Sequence, residues 1–295
     1  MTPVTLAVLE VRERWVQPGS ESVGSIARAF VEARHKASGL HAYPGLPPVD
    51  LDQAYTIQDE AILLDGRTVQ GWKLGRINPP FDAQLGATRL TGPVFEGAIQ
   101  QGSDATLPII ADGFGAAEAE FLLHLGADPD PDRSDWSSAE ARALVDAVYI
   151  GVEIASSPYP GINADGPAVT ASDFGNNFGL LVGPELRDWR TRDIDAVAVS
   201  TLINGQSVGQ ATTATMLDGP WGSLRFLLEL MHRRGIALRR GQWISTGAVT
   251  GVHPVRPGDR VEARFDDQVI TCLITAASPN RAREEKDVGS ASGNG

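Results

Sequence analysis

The sequence predicts an α+β chain: a helical N-terminal part, then a β-rich core with helices inserted. Three observations predict it. Two stretches before residue 66 repeat apolar residues at helical spacing. From Gly66 to Ser278, short runs of strand-forming residues alternate with Gly and Pro. Inside that region, two segments return to helical spacing.

The first helix is expected from Ser22 to about Ala37, where Ile26, Phe30 and Val31 share a face among Arg28, Glu32 and Arg34, with Ser20 or Ser22 as cap. The Pro/Gly-rich stretch from His41 to Pro48 reads as a loop. A second helix is expected from Asp52 to about Leu64 on Ala54, Ile57, Ala61 and Leu64, capped by Asp50 or Asp52. Strands follow at Val69–Leu74, Ala117–Leu125, Ala147–Ala155, Gly179–Val182, Ala196–Ile203, Trp243–Thr246 and Arg260–Phe265. Helices interrupt them at Ser137 to about Asp146, opened by the capping-box pattern Ser137-Ser138-Ala139-Glu140, and at Trp221 to about His232. Asn204-Gly205 between apolar runs predicts a hairpin turn, and Pro257-Gly258-Asp259 another turn. The expected division is residues 1–65 as the helical part, 66–278 as the β-rich domain, and 279–295 as a polar, Gly/Ser-rich disordered tail.

The chain has 295 residues, which suits one large domain or one domain with an extension, and its hydrophobic fraction of 42% supports a sizeable core. The net charge of −12, with no basic patch interleaved with aromatics, argues against nucleic acid as a partner. A single cysteine, Cys272, excludes an intrachain disulfide and a cysteine metal cluster; its apolar setting predicts a strand core position. No apolar stretch approaches the roughly 20 residues of a membrane helix. The early charges Glu10, Arg12, Glu13 and Arg14 leave no signal-peptide core, so a cytoplasmic protein without membrane partners is expected.

The strongest chemical signal is a pair of acids in an apolar run, Ala117-Glu118-Ala119-Glu120-Phe121, with a third acid, Glu153, in a second such run. Strand alternation puts Glu118 and Glu120 on one face. Either these acids lie on solvated strand faces, or they share a semi-buried place and need a cation or protons. Ala117 and Ala119 make a weak buried face for the first reading, and Glu153 is a lone acid in an apolar stretch, where an unpaired charge is costly. Three carboxylates without a cysteine or histidine cluster favour Mg²⁺ or Mn²⁺ over zinc. Lys73, flanked by Gly71 and Gly75, suits a pocket wall; near a metal its ammonium would have a lowered pKa and could bind an anion or move protons. Ser172-Asp173 with Asn177 reads as a polar turn, and Thr246-Gly247 as a strand end able to offer a hydroxyl and an N–H to a carboxylate.

In order, Ala54-Tyr55-Thr56-Ile57-Gln58, Gly71-Trp72-Lys73-Leu74-Gly75, Gln84-Leu85-Gly86, Gly92-Pro93-Val94-Phe95-Glu96-Gly97, Glu118-Ala119-Glu120-Phe121, Val152-Glu153-Ile154-Ala155-Ser156-Ser157, Ser172-Asp173 with Asn177 and Gly179, and Thr246-Gly247 resemble the 2-keto-4-pentenoate hydratase and 4-oxalocrotonate decarboxylase branch of the fumarylacetoacetate hydrolase superfamily. The resemblance runs from about Ala54 to Phe265. It implies a mixed β-roll core in a homo-oligomer, with Glu118, Glu120 and Glu153 as ligands of Mg²⁺ or Mn²⁺. It implies Lys73 and Asp173 for proton transfer and water orientation, and Thr246, Asn177 and Ser157 toward a small 2-oxo acid. The activity implied is hydration of a 2-hydroxy-2,4-dienoate to a 4-hydroxy-2-oxo acid. Decarboxylation of a 2-oxo-dienedioate is the nearest rival, followed by acylpyruvate C–C hydrolysis and a non-catalytic binding module. Gly115-Ala116-Ala117 stands where the family often has Pro-Arg or Pro-Lys, and Pro158-Tyr159 where an arginine often follows, so an arginine common near the site is expected to be missing.

Overall fold

A computed structural model describes residues 20–280. The early charged stretch and nearly all of the expected 279–295 tail lie outside them. Two helices come first. α1 (Ser20–His35) buries Ile26, Ala27, Phe30 and Val31, and α2 (Leu51–Asp65) buries Ala54, Ile57 and Ala61. The Asp50 carboxylate caps α2 by accepting from the Gln53 N–H at 2.8 Å, and Gly66 closes it in the left-handed conformation.

Then follow β1 (Val69–Arg76), α3 (Phe81–Leu85), β2 (Arg89–Phe95), β3 (Ile99–Gln101), β4 (Asp104–Ile109), β5 (Phe114–Leu125), α4 (Ser138–Ala143), β6 (Val145–Ser157), α5 (Pro167–Ser172) and β7 (Asn177–Glu185). The chain continues with β8 (Val199–Ile203), β9 (Gln206–Ala211), α6 (Gly219–Arg234), β10 (Trp243–Ser245), β11 (His253–Pro254), β12 (Arg260–Phe265) and β13 (Gln268–Ala276). The Ser137–Glu140 capping box forms, but α4 stops at Ala143 because β6 begins at Val145, earlier than the helical spacing suggested. Asn204 and Gly205 both take positive φ and join β8 to β9, as a two-residue hairpin requires. β2, with Gly92 and Pro93 inside it, is an edge strand, the place where a strand tolerates proline.

An eight-stranded sheet runs β2-β1-β10-β5-β6-β7-β3, with β11 paired to β5; a five-stranded sheet runs β4-β13-β12-β8-β9. The main core draws on both sheets: Ala117, Ala119, Phe121 and Leu123 of β5 and Val148, Ile150, Val152 and Ile154 of β6 belong to one cluster with Val261, Phe265, Ile270 and Cys272. Alternation then sends Glu118, Glu120 and Glu153 to the other face of the large sheet. On that side α1 and α2 pack with Phe95, Val169 and Phe174 in a second apolar cluster. Cys272 is buried as expected, and burial pushes its thiol up to about 12. Among the described residues no helix is long and apolar enough to cross a membrane.

Candidate metal centre and its cavity

The antiparallel register sets Glu118 directly opposite Glu153, with Glu120 opposite Gly151 two pairs along. Like charges facing across strands destabilise a sheet, and all three carboxylates are buried. One oxygen from each lies within 4.8 Å of the others, the one such acidic cluster among the described residues. Burial, then the Glu153 charge, raises Glu118 to about 7, and burial with both neighbouring carboxylates raises Glu120 well above its ordinary value. Without a cation, full ionisation of the cluster is therefore opposed by burial and by mutual repulsion.

The surroundings orient these acids without satisfying them. Glu120 Oε2 accepts from the Ser245 hydroxyl at 2.5 Å and from the Gly247 N–H at 2.8 Å, while its Oε1 is buried with no hydrogen-bond partner. Glu153 Oε1 accepts from Asn177 Nδ2 at 2.9 Å; its Oε2 has the Lys73 ammonium 3.2 Å away but no well-formed hydrogen bond. Hard oxygen donors, bare buried oxygens and no sulfur nearby fit a divalent cation such as Mg²⁺ or Mn²⁺.

Lys73 is delivered by β1, whose Trp72 and Leu74 point into the intersheet core and leave Lys73 on the carboxylate side. Burial alone would lower its pKa. With no metal present, the charges of Glu153, Glu118 and Glu120 outweigh that, so it lies above the ordinary lysine value. Its ammonium also donates to Asn176 Oδ1 at 3.2 Å. Asn176 arrives on a strained turn: Phe174, Gly175 and Asn176 all have φ between 55° and 57°. Two non-glycine residues held left-handed need a surrounding structure that dictates them. Gly92 of β2 supplies part of it, since a Cβ there would sit 1.8 Å from the Phe174 carbonyl oxygen.

Asp173, an expected proton-transfer group, is not brought to the cavity. Arg34 of α1 donates from Nε to its Oδ1 at 2.6 Å and from Nη2 to its Oδ2 at 2.9 Å, and neither side chain is accessible to any extent that matters. The same guanidinium donates to the Asn177, Ser156 and Asp173 carbonyl oxygens. Asp173 thus anchors the turn that carries Asn176 and Asn177. Ser157 is likewise turned to local structure, its Oγ accepting from the Tyr159 N–H at 3.1 Å. Asn177 holds Glu153 and does not line the cavity; Thr246 does line it, with its hydroxyl donating to the Phe121 carbonyl at 2.9 Å.

The cavity above the cluster has a volume of about 830 Å³. Lys73, Glu118, Asn176 and Thr246 line it together with Arg76, Arg89, Thr250 and the exposed apolar side chains of Phe81, Leu217 and Val252. The arginines that line the cavity come from β1 and β2. Ser245, Asn176, Arg34, Arg76 and Arg89 were not singled out from sequence. Ser245 could have been, since it adjoins Thr246-Gly247; Arg34 could not, because its helix offers it as one charge among several.

The model of the fumarylacetoacetate (FAA) hydrolase C-terminal family matches residues 98–276. The 2-keto-4-pentenoate hydratase of Paraburkholderia xenovorans (strain LB400) is 27% identical over 224 residues, covering 75% of this chain and 82% of that protein. A 4-oxalocrotonate decarboxylase of Pseudomonas sp is 31% identical over 255 residues, covering 83% and 94%. Among solved structures, the 4-oxalocrotonate decarboxylase from Pseudomonas putida G7, complexed with magnesium and adipate, matches with a TM-score of 0.72 at 21% identity over 87% of this chain and 98% of that one, a likeness of fold. The family match and the 31% relative agree with the carboxylate cluster found on β5 and β6: the chain belongs to the fumarylacetoacetate hydrolase family, in the branch of 2-keto-4-pentenoate hydratases and 4-oxalocrotonate decarboxylases.

Proposed function

We propose that the protein is a divalent-metal-dependent hydro-lyase that adds water to a 2-hydroxy-2,4-dienoate, giving a 4-hydroxy-2-oxo acid. The observation that carries this reading is the buried triad Glu118, Glu120 and Glu153 beside the Lys73 ammonium, with Glu118 and Lys73 lining the cavity. These three glutamates would hold Mg²⁺ or Mn²⁺, which when bound supplies a Lewis acid for the C1 carboxylate and 2-oxo oxygen.

The chain's own groups supply the rest. Lys73, whose ammonium lies 3.2 Å from Glu153, would hold an N–H donor where negative charge develops on the 2-oxo oxygen. Asn176 fixes that ammonium from the far side of the turn. Thr246 and Gly247 line the cavity wall, and the Gly247 N–H holds Glu120. With Asp173 tied to Arg34, orientation of the attacking water falls to Thr250 on the cavity wall, whose hydroxyl lies 3.1 Å from His253 Nε2. Burial lowers the pKa of that imidazole, which favours the neutral form that could take a proton through the hydroxyl.

The second reading is decarboxylation of a 2-oxo-dienedioate, supported by the names of the 31% identical relative and of the structural neighbour. The two are separated by incubating 2-hydroxy-dienoates and their dioic analogues with Mg²⁺. Loss of dienol absorbance without CO₂ supports hydration, and release of CO₂ supports decarboxylation. Glu120→Gln is expected to lose metal binding and turnover together; a variant that kept both would remove the site assignment, and a wild-type protein that bound neither Mg²⁺ nor Mn²⁺ would favour a non-catalytic module. A homo-oligomer is part of the same proposal; light scattering of the purified protein tests it.

A further inference from the structure

The Asn176 carboxamide can turn end for end. Its oxygen and its NH₂ group are close in size, so its partners decide which one faces Lys73. An ammonium donates and cannot accept. The oxygen has to face it, as it does at 3.2 Å. That leaves the Nδ2 group on the other side of a buried residue, where a donor without an acceptor is costly. Asn163 supplies the acceptor: Asn176 Nδ2 donates to Asn163 Oδ1 at 2.9 Å. Asn163 lies between β6 and α5 and lines the cavity together with Lys73 and Asn176. It is exposed, yet its place is fixed from both sides. Ile162 before it is fully buried in the cluster with Phe174, and the Ile162 carbonyl accepts from the Thr170 hydroxyl at 2.9 Å. After it the chain turns back: the Ala164 and Asp165 N–H groups both donate to the Gly161 carbonyl, at 2.9 and 3.0 Å, and the Tyr159 hydroxyl donates to the Asp165 carboxylate.

We propose that Asn163 is a positioning residue for Lys73. By accepting from Asn176 Nδ2 it selects the carboxamide orientation that presents oxygen to the ammonium. Asn176 Oδ1 and Glu153, 3.2 Å away on its own strand, then hold the ammonium between them. Without the Asn163 oxygen the carboxamide loses its reason to stay in that orientation. A turned amide sets its NH₂ group against the ammonium, donor against donor, and leaves Lys73 to Glu153 alone. The inference rests on the proposed reaction for what Lys73 does there; the selection of the amide orientation does not depend on it.

The test compares Asn163→Ala, which removes the acceptor, with Asn163→Asp, which keeps it. Asn163 is exposed, so both variants should melt as the wild type does. Losing a hydrogen bond to a charged group corresponds to a roughly ten- to hundredfold change in rate, so kcat for the dienoate with Mg²⁺ is expected to fall by that factor in Asn163→Ala while KM stays nearly constant. Asn163→Asp is expected to recover most of kcat. Mg²⁺ affinity is expected to be the same in all three proteins, because Asn177 still holds Glu153. Unchanged kcat in Asn163→Ala, no recovery in Asn163→Asp, or a loss of Mg²⁺ affinity in parallel with kcat would overturn the positioning role. A second measurement needs no turnover. In ¹⁵N-labelled, Mg²⁺-loaded protein the Asn176 side-chain amide protons are expected to exchange slowly with solvent in the wild type and in Asn163→Asp, and faster in Asn163→Ala; equal exchange in all three would overturn the selection of the amide orientation. That exchange pattern in a protein that hydrates no dienoate would keep Asn163 as the group that orients Asn176 and remove the hydratase reading.

Discussion

Arg34 is the residue whose removal the structure makes most consequential. It donates five hydrogen bonds, two to the Asp173 carboxylate and three to carbonyl oxygens of Ser156, Asp173 and Asn177. Its guanidinium also lies 5.0 Å from the Phe174 ring centroid and 5.6 Å from that of Phe178. Arg34→Met leaves the apolar stem and strips the charge, so the Asp173 carboxylate, with no accessible surface, loses its counter-ion. Breaking one side of a buried pair costs about 3–5 kcal/mol, mainly through the charge left behind. Adding Asp173→Asn removes that charge and is expected to return at least about 1 kcal/mol of it. Urea unfolding of the two variants and the wild type gives both numbers. A Mg²⁺ titration should show weakened binding in Arg34→Met, because the turn it clamps carries Asn176 to Lys73 and Asn177 to Glu153. A loss below about 1 kcal/mol in Arg34→Met, or a further loss on adding Asp173→Asn, would refute the reasoning.

Two further outcomes are expected. Gly92→Ala places a methyl group 1.8 Å from the Phe174 carbonyl oxygen, so the strained turn must move; a loss of about 1–3 kcal/mol with reduced Mg²⁺ affinity is expected, and unchanged melting and affinity would sink that account. Asp65 is desolvated by burial, but hydrogen bonds from His35 and Arg67 outweigh this and hold its carboxyl well below the usual range. Its contribution is complete above the ordinary carboxylate pKa of about 4 and is lost as the pH falls toward the depressed folded value. Urea midpoints between pH 5 and pH 3 should therefore fall more steeply for the wild type than for Asp65→Asn; parallel curves would exclude the effect.

What was legible in the chain was local. Alternation in β5 separated Ala117, Ala119 and Phe121 from Glu118 and Glu120, and the structure puts the first set between the sheets and the second on the opposite face. Capping chemistry placed the starts of α2 and α4, and Asn204-Gly205 the hairpin. Pairings across the chain were not legible. Arg34 and Asp173 are 139 residues apart, and neither residue's neighbours distinguish a buried ion pair from two surface charges. β2 is not among the expected strands: Gly92 and Pro93 interrupt its pattern, and such a strand is tolerated because it lies at an edge with a tight turn against it. The expected roles of Asp173 and Ser157 came from position in a pattern, and position does not tell which way a carboxylate or hydroxyl is engaged.

The place of β1 bears on what can be cut from this chain. The family match begins at residue 98, but β1 lies inside the eight-stranded sheet between β2 and β10 and pairs with β10 in parallel. A fragment starting at residue 98 would lack Lys73, leave the backbone of β10 as a raw edge open to pairing with another molecule, and strip α1 and α2 from the apolar cluster around Phe174. Such a fragment is expected to aggregate rather than fold. The recognisable segment and the heritable unit are therefore different lengths: recombination at residue 98 would divide a sheet through its interior, and the helices and β1 must travel with the glutamates for either to be of use.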